Sequence, residues 1–270
     1  MNGGTTPAYQ WKLNGANVGT GAATYTNAAL ANGDQVLVVL TSSLRCTSGN
    51  PATSNTITAS LLTPPSISVQ PASLAQCAGT NATFSVTAAG SGITYQWKKG
   101  GTAISGATNA SYTINNIAAG DAASYTVTIT GTCGTVTSNA ATLTVNAAPA
   151  ITTQPVSLTQ CAGTNATFSV TATGAGLTYQ WRKAAVNIGG ATNASYTINN
   201  ISAGDAASYT VVITGTCGTL TSNAATLTVN AAPAITVQPV ALTRCTGTAA
   251  AFSVTATGAG LTYQWRKGGT

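Results

Sequence analysis

Thr94-Tyr95-Gln96-Trp97-Lys98-Lys99 recurs as Thr178-Tyr179-Gln180-Trp181-Arg182-Lys183, as Thr262-Tyr263-Gln264-Trp265-Arg266-Lys267 and, shortened, as Tyr9-Gln10-Trp11; these copies hold all 4 tryptophans of the chain. In an extended strand successive side chains face opposite ways, so Tyr95 and Trp97 share a face and Gln96 points to the other. Burying an indole is worth roughly 4–6 kcal/mol, from about 150–250 Å² at about 25 cal/mol per Å². Trp11, Trp97, Trp181 and Trp265 are therefore each expected to be the pillar of one core, with Tyr125 and Tyr209 beside the second and third.

Trp97 and Trp181 stand 84 residues apart, as do Trp181 and Trp265, Cys77 and Cys161, Cys161 and Cys245, and Cys133 and Cys217. Only the first copy is offset, by 86 at Trp11 and 87 at Cys46. Such a period is a small domain rather than one turn of a solenoid, whose repeats run at about 20–47 residues. The second copy shows the full pattern. Ile67-Ser68-Val69 is a strand ended at Gln70-Pro71, and Ala82 to Thr87 alternates Phe84 and Val86 with Thr83, Ser85 and Thr87. After the tryptophan strand come Ser111 to Ile114, Asp121 to Ile129 and Thr142 to Val145, with Gly100-Gly101 and Cys133-Gly134 as turns. Seven or eight short strands with turns every 8–12 residues or so make a Greek-key β-sandwich.

The fold class is thus all-β: tandem sandwiches, two complete and two partial. The boundaries follow from Thr63-Pro64-Pro65, Asn146-Ala147-Ala148-Pro149 and Asn230-Ala231-Ala232-Pro233. They give a partial domain over 1–62, complete domains over 65–148 and 149–232, and a partial domain over 233–270. In the first, Val36 to Leu40 reads as a buried strand and Asn55 to Leu61 as the last one. The linkers are short, and each proline fixes its own φ while restricting the residue before it, so a semi-rigid array is expected.

Composition bounds the chemistry. Apolar residues make up 44% of the chain, enough for a core in each unit, whereas charged residues make up 4%, against about 25% in an ordinary soluble domain. Solubility falls to Thr, Ser, Asn and Gln on pleated outer faces. The net charge of +6 comes from 9 basic and 3 acidic residues over four units, too thin for a phosphate-tracking groove, so no nucleic acid is expected as partner. The longest strongly apolar run, Val36 to Leu40, is far short of the roughly 20 residues of a membrane-spanning helix, and no membrane insertion is expected. The chain has no His and no Glu, and its three carboxylates, Asp34, Asp121 and Asp205, stand one to a unit. No acid–base pair, triad or histidine metal site can form within a unit, so neither an enzyme nor a cofactor is expected. Each Asp reads as a turn residue. Asn81, Asn109, Asn165 and Asn193 open glycosylation sequons and read as turn residues too. Lys98, Lys99, Arg182 and Lys183 read as solvated strand ends, with weak contact to an anionic glycan or surface polymer as the alternative.

Trp97 standing 11 residues after Val86, and Asp121-x-x-x-Tyr125 leading into a strand, resemble the third-strand tryptophan and the tyrosine corner of immunoglobulin-like domains. Cys-Ala-Gly-Thr-Asn-Ala-Thr-Phe, Thr-Tyr-Gln-Trp and Cys-Gly-Thr together resemble the tandem immunoglobulin-like repeats of large secreted or cell-surface proteins of Bacteroidota-type bacteria. The chain departs from antibody domains at Val86 and Val127, where sheet-bridging cysteines would sit, and in the first copy, where Val38 replaces the corner tyrosine. The resemblance implies an extracellular or cell-surface location, with the signal peptide outside this sequence, and a fragment of a longer array whose neighbouring domains are its partners. The function it implies is a non-catalytic structural or adhesive spacer. A carbohydrate-binding module, or a filament subunit completed by strand addition between chains, are the alternatives.

In an oxidising compartment the cysteines should pair. One pairing lies within each unit, Cys77 to Cys133 and Cys161 to Cys217. On an immunoglobulin-like template, however, those cysteines fall at opposite ends of a sandwich, on the order of 35 Å apart at about 3.3 Å per strand residue, far beyond the roughly 7 Å between Cα atoms that a disulfide spans. The other pairing joins neighbours, Cys77 to Cys217 across the 146–149 linker. Both stand at this point.

Overall fold

The computed structural model describes residues 7–44 and 48–268. The described residues form strands, turns and two short 3-10 turns, Ala119–Asp121 and Ala203–Asp205, with no α-helix among them. By compactness the chain divides into two units, one of Met1–Pro71, Phe84–Tyr112 and Tyr125–Ala140, the other of Ala72–Thr83, Thr113–Ser124 and Ala141–Thr270. The division runs inside the second repeat rather than at the linkers.

The third repeat lies wholly in the second unit. One sheet runs, in spatial order, Leu158–Cys161, Ala225–Asn230, Ala207–Gly215, Thr178–Lys183 and Val186–Asn187, with Gly218–Thr221 also paired to Ala207–Gly215. The first pair is parallel, Cys161 opposite Asn230, and the others are antiparallel. Ala166–Ser169 pairs with Ser195–Ile198, and Ala150–Thr153 with Thr171–Thr173. The alternation read from the sequence is met: Ala166 and Phe168 are buried between exposed Thr167 and Ser169, and Tyr209, Val211 and Ile213 point inward together. Trp181 has no exposed surface, and its ring lies 6.0 Å from Phe168 and 6.3 Å from Tyr196. Its indole N–H donates to the Asn193 carbonyl at 2.9 Å. Gln180, on the other face, donates to the Trp181 and Ile188 carbonyls at 2.9 and 2.8 Å, tying the strand edge to the next turn.

The same features recur in the second repeat. Trp97 is fully buried, lies 6.0 Å from Phe84 and donates to the Asn109 carbonyl at 2.9 Å, while Gln96 repeats the edge contacts. Val86 and Val127 are both buried. The strand expected over 82–87 is two pieces, Ala82–Ser85 and Thr87–Ala89, the second pairing with Ser66–Val69. At the break the Val86 N–H donates to the Ala110 carbonyl at 3.0 Å.

Two of the four expected tryptophan pillars are corrected. Trp265 is 52% exposed, with Phe252, itself 56% exposed, as its ring neighbour at 6.4 Å. Trp11 is half-buried, stacked on Tyr25 at 5.8 Å. The described part of the first repeat is a single sheet of Ala16–Thr20, Ala8–Leu13, Gln35–Thr41 and Ala52–Thr53, with Ile57–Thr58 also on Gln35–Thr41. Val36 to Leu40 are accordingly half-buried rather than buried, and the last strand is the two residues Ile57–Thr58.

Candidate functional site

In the third repeat Asp205 accepts the Ser202 backbone N–H at 2.9 Å and the Ser202 hydroxyl at 2.8 Å. These two donors, the backbone one foremost, with Lys183 behind them, hold its carboxyl below the ordinary carboxylate range. The Tyr209 hydroxyl donates to the Asp205 carbonyl at 2.9 Å, the counterpart in this repeat of the tyrosine corner expected at Asp121 and Tyr125. Burial first, and the Asp205 charge second, push that phenol up to about 12. Asp34 does the same local work without a corner tyrosine, accepting Asn14 at 2.7 Å and the Ala31 N–H at 2.7 Å; its carboxyl is lowered mainly by Asn14. Asp121 accepts the Ala118 N–H at 3.0 Å. Asn81 and Asn165 accept the backbone N–H groups of Asn116 and Asn200. The three aspartates are thus bound into turns, and among the described residues no three His, Cys, Asp or Glu side chains come together as a metal cluster.

Sequence reasoning overlooked a plug between the last two strands of the repeat. Ser222 is buried, accepts the Val211 N–H at 3.0 Å and donates to the Asn223 carbonyl at 2.8 Å. It thereby fills the gap between Gly218–Thr221 and Ala225–Asn230. Ser138 and Ser54 repeat these contacts in the second and first copies. The signal was in plain view, as the recurrent Thr-Ser-Asn at 53–55, 137–139 and 221–223.

The linker proline is held as well. A Cβ on Gly174, whose φ is +143°, would lie 3.1 Å from Cα of Pro149, and one on Gly215 would lie 2.9 Å from Cγ of Pro149. Both positions are glycine because the linker packs directly on their backbone.

Arg182 and Lys183 are engaged within their own repeat. Arg182 donates to the Asn187 side chain at 2.7 Å, and Lys183 reaches the Gly204 carbonyl at 2.7 Å and Asp205 at 3.5 Å. Lys98 lies opposite Ala103 and Thr126, and Lys99 is engaged. They form strand ends.

Cys77 and Cys217 form a disulfide with Cα atoms 5.5 Å apart and 140 residues between them in sequence. Both lie in the second compact unit. Of the two pairings the sequence allowed, the structure takes the one between repeats; Cys77–Cys133 and Cys161–Cys217 do not form, and Cys133, Cys161 and Cys245 are free and exposed. Cys46 lies outside the described residues. Cys77 ends Leu74–Cys77, which runs parallel to Ala141–Asn146 with Cys77 opposite Asn146. Cys217 is at the tip between Gly215 and Gly218.

A family described as Domain of unknown function (DUF8696) matches residues 151–231. No curated protein matches the chain. Among solved structures, a three-domain immunoglobulin segment of titin resembles it with a TM-score of 0.60 at 21% identity, over 66% of this chain and 70% of that one. A fragment of the titin I-band gives 0.59 at 21% over 65% and 69%. Immunoglobulin domains 1–5 of Sidekick-1 give 0.53 at 21% over 94% of this chain and 60% of that one. The fold is therefore that of tandem immunoglobulin-like β-sandwiches. Among the described residues no helix is long and apolar enough to cross a membrane.

Proposed function

We propose that the chain is a non-catalytic structural and adhesive array of an extracellular or cell-surface protein, of the kind built from tandem repeats in Bacteroidota-type bacteria, acting as a semi-rigid spacer. Its partners are neighbouring domains of the same longer chain. The observation that carries this reading is the Cys77–Cys217 bond, which ties a strand of one 84-residue period to a turn of the next. A bond placed there restricts bending between successive repeats, as a stalk requires. Pro149, packed on Gly174 and Gly215, restricts the linker from within the third repeat. A disulfide also suits an oxidising compartment.

The test is small-angle scattering on the intact chain and on Cys77→Ser, paired with a glycan array. Scattering from the oxidised chain should fit a narrow set of conformations, and Cys77→Ser should broaden it. Equal breadth in the two would overturn the spacer reading. Specific micromolar glycan binding would favour the carbohydrate module, and concentration-dependent polymers the filament.

A further inference from the structure

We infer that Cys77–Cys217 is one instance of a recurring linkage, and that the end of Leu158–Cys161 is a docking site for the Gly-Thr-Cys-Gly hairpin tip of another repeat of this kind. This deepens the spacer reading by assigning the partner surface, and it rests on that reading.

Two copies of one site match in detail. Cys77 stands opposite Asn146 in a parallel pair, and Cys161 stands opposite Asn230 in the same register. The Thr80 hydroxyl donates to the Cys77 carbonyl at 2.7 Å, and Thr164 to Cys161 at 2.8 Å. The following N–H donates to the facing Asn carbonyl at 2.9 Å in both, Ala78 to Asn146 and Ala162 to Asn230. One residue further on, Gly79 and Gly163 donate at 2.8 Å to Ile117 and Ile201, with φ of +85° and +88°. The two sites therefore hold their cysteines in the same local frame; Cys77 is bonded, and Cys161 is an exposed thiol.

The partner half is equally uniform. Cys133 and Cys217 occupy the tips Gly131–Gly134 and Gly215–Gly218, and the closing glycines both have φ of +121°. Cys77 precedes Cys133 by 56 residues, yet its partner is Cys217, one period of 84 further on. The strand-end cysteine thus takes the tip of the following repeat, and Cys161 is matched to a tip 140 residues beyond itself. Formation of the bond is an exchange: a thiolate attacks glutathione disulfide, the second cysteine displaces glutathione from the mixed disulfide, and two reduced glutathiones and one protein disulfide result.

The experiment inserts a second copy of residues 149–232 between Ala232 and Pro233, marked by Leu220→Val in the inserted copy so that its tip peptide differs in mass. The protein is refolded in a glutathione redox buffer, alkylated and mapped without reduction. The expected result is a linked peptide joining Cys161 to the marked tip, beside Cys77–Cys217, with Cys161→Ser abolishing the new link alone. Cys161 recovered in alkylated form while Cys77–Cys217 is present, or bonded within its own repeat, would overturn the inference. The first of those outcomes leaves the spacer reading standing, because its scattering test reads the existing bond.

Discussion

Trp181 and Trp265 sit in the same six residues, Thr-Tyr-Gln-Trp-Arg-Lys, and differ in burial, 0% against 52% exposed. Replacing each by Ala separates what the motif does from what packing does. At Trp181 the substitution removes about 150–250 Å² of buried surface and opens a cavity beside Phe168 and Tyr196. Large-to-small changes of this kind cost about 3–5 kcal/mol. The lost indole bond to the Asn193 carbonyl adds to this. At Trp265 only half of the ring is covered and no packed wall surrounds it, so the cost is local and does not reach the third repeat. The readout is native-state hydrogen exchange in Ala207–Gly215, which pairs with the Trp181 strand. A cost of about 3–5 kcal/mol, at about 1.4 kcal/mol per decade, predicts exchange in that strand faster by two to four decades or so in Trp181→Ala. In Trp265→Ala it should be unchanged. Acceleration of less than about tenfold in Trp181→Ala, or equal acceleration in the two variants, would refute the claim that this ring is the pillar of the core.

Three further outcomes follow from the geometry. Pulled from its termini, the oxidised chain should keep the segment between Cys77 and Cys217 out of the extension; that segment is about 460–500 Å at about 3.3–3.6 Å per residue over the 140-residue separation. A single-molecule trace of equal length before and after reduction would deny the bond. Because the Asp205 carboxyl is lowered in the folded state, its stabilisation is present above the ordinary carboxylate pKa and is lost as pH falls through the lowered value. The melting temperature should therefore hold from pH 7 down to about 5 and fall below about 4, and Asp205→Ala should flatten that fall, a drop of unchanged size removing Asp205 from the account. The Tyr209 phenol is raised to about 12, so its contribution is complete below the ordinary value of 10.0 and disappears as pH climbs towards 12. Ultraviolet titration should show a phenolate step delayed in the folded chain and smaller in Tyr209→Phe, which itself should cost about 1 kcal/mol for the lost hydrogen bond to Asp205; a titration identical in the two would contradict the corner.

The parts of this protein legible in its residues are those governed by local periodicity. Alternation of Phe168 with Thr167 and Ser169 assigns a strand and its buried face, because side chains on a pleat alternate whatever lies elsewhere. The 84-residue spacing of Trp97 and Trp181 likewise displays the repeat without any coordinates. Asp205 and Tyr209 were readable as a corner because they are four residues apart and interact through the turn between them. Tertiary structure decided the rest. Trp181 and Trp265 have the same neighbours in sequence and opposite fates, since burial depends on packing by residues outside the motif, Phe168 and Tyr196 in the case of Trp181. The strand over 82–87 breaks at Val86 because its two halves pair with different strands, a constraint the local pattern does not contain. The disulfide is the clearest case: identical spacings let Cys217 pair with Cys161 or with Cys77. Only the placement of a strand end beside a hairpin tip, 5.5 Å apart between Cα atoms after 140 residues of chain, selects the second, because a covalent bond is chosen by distance in space.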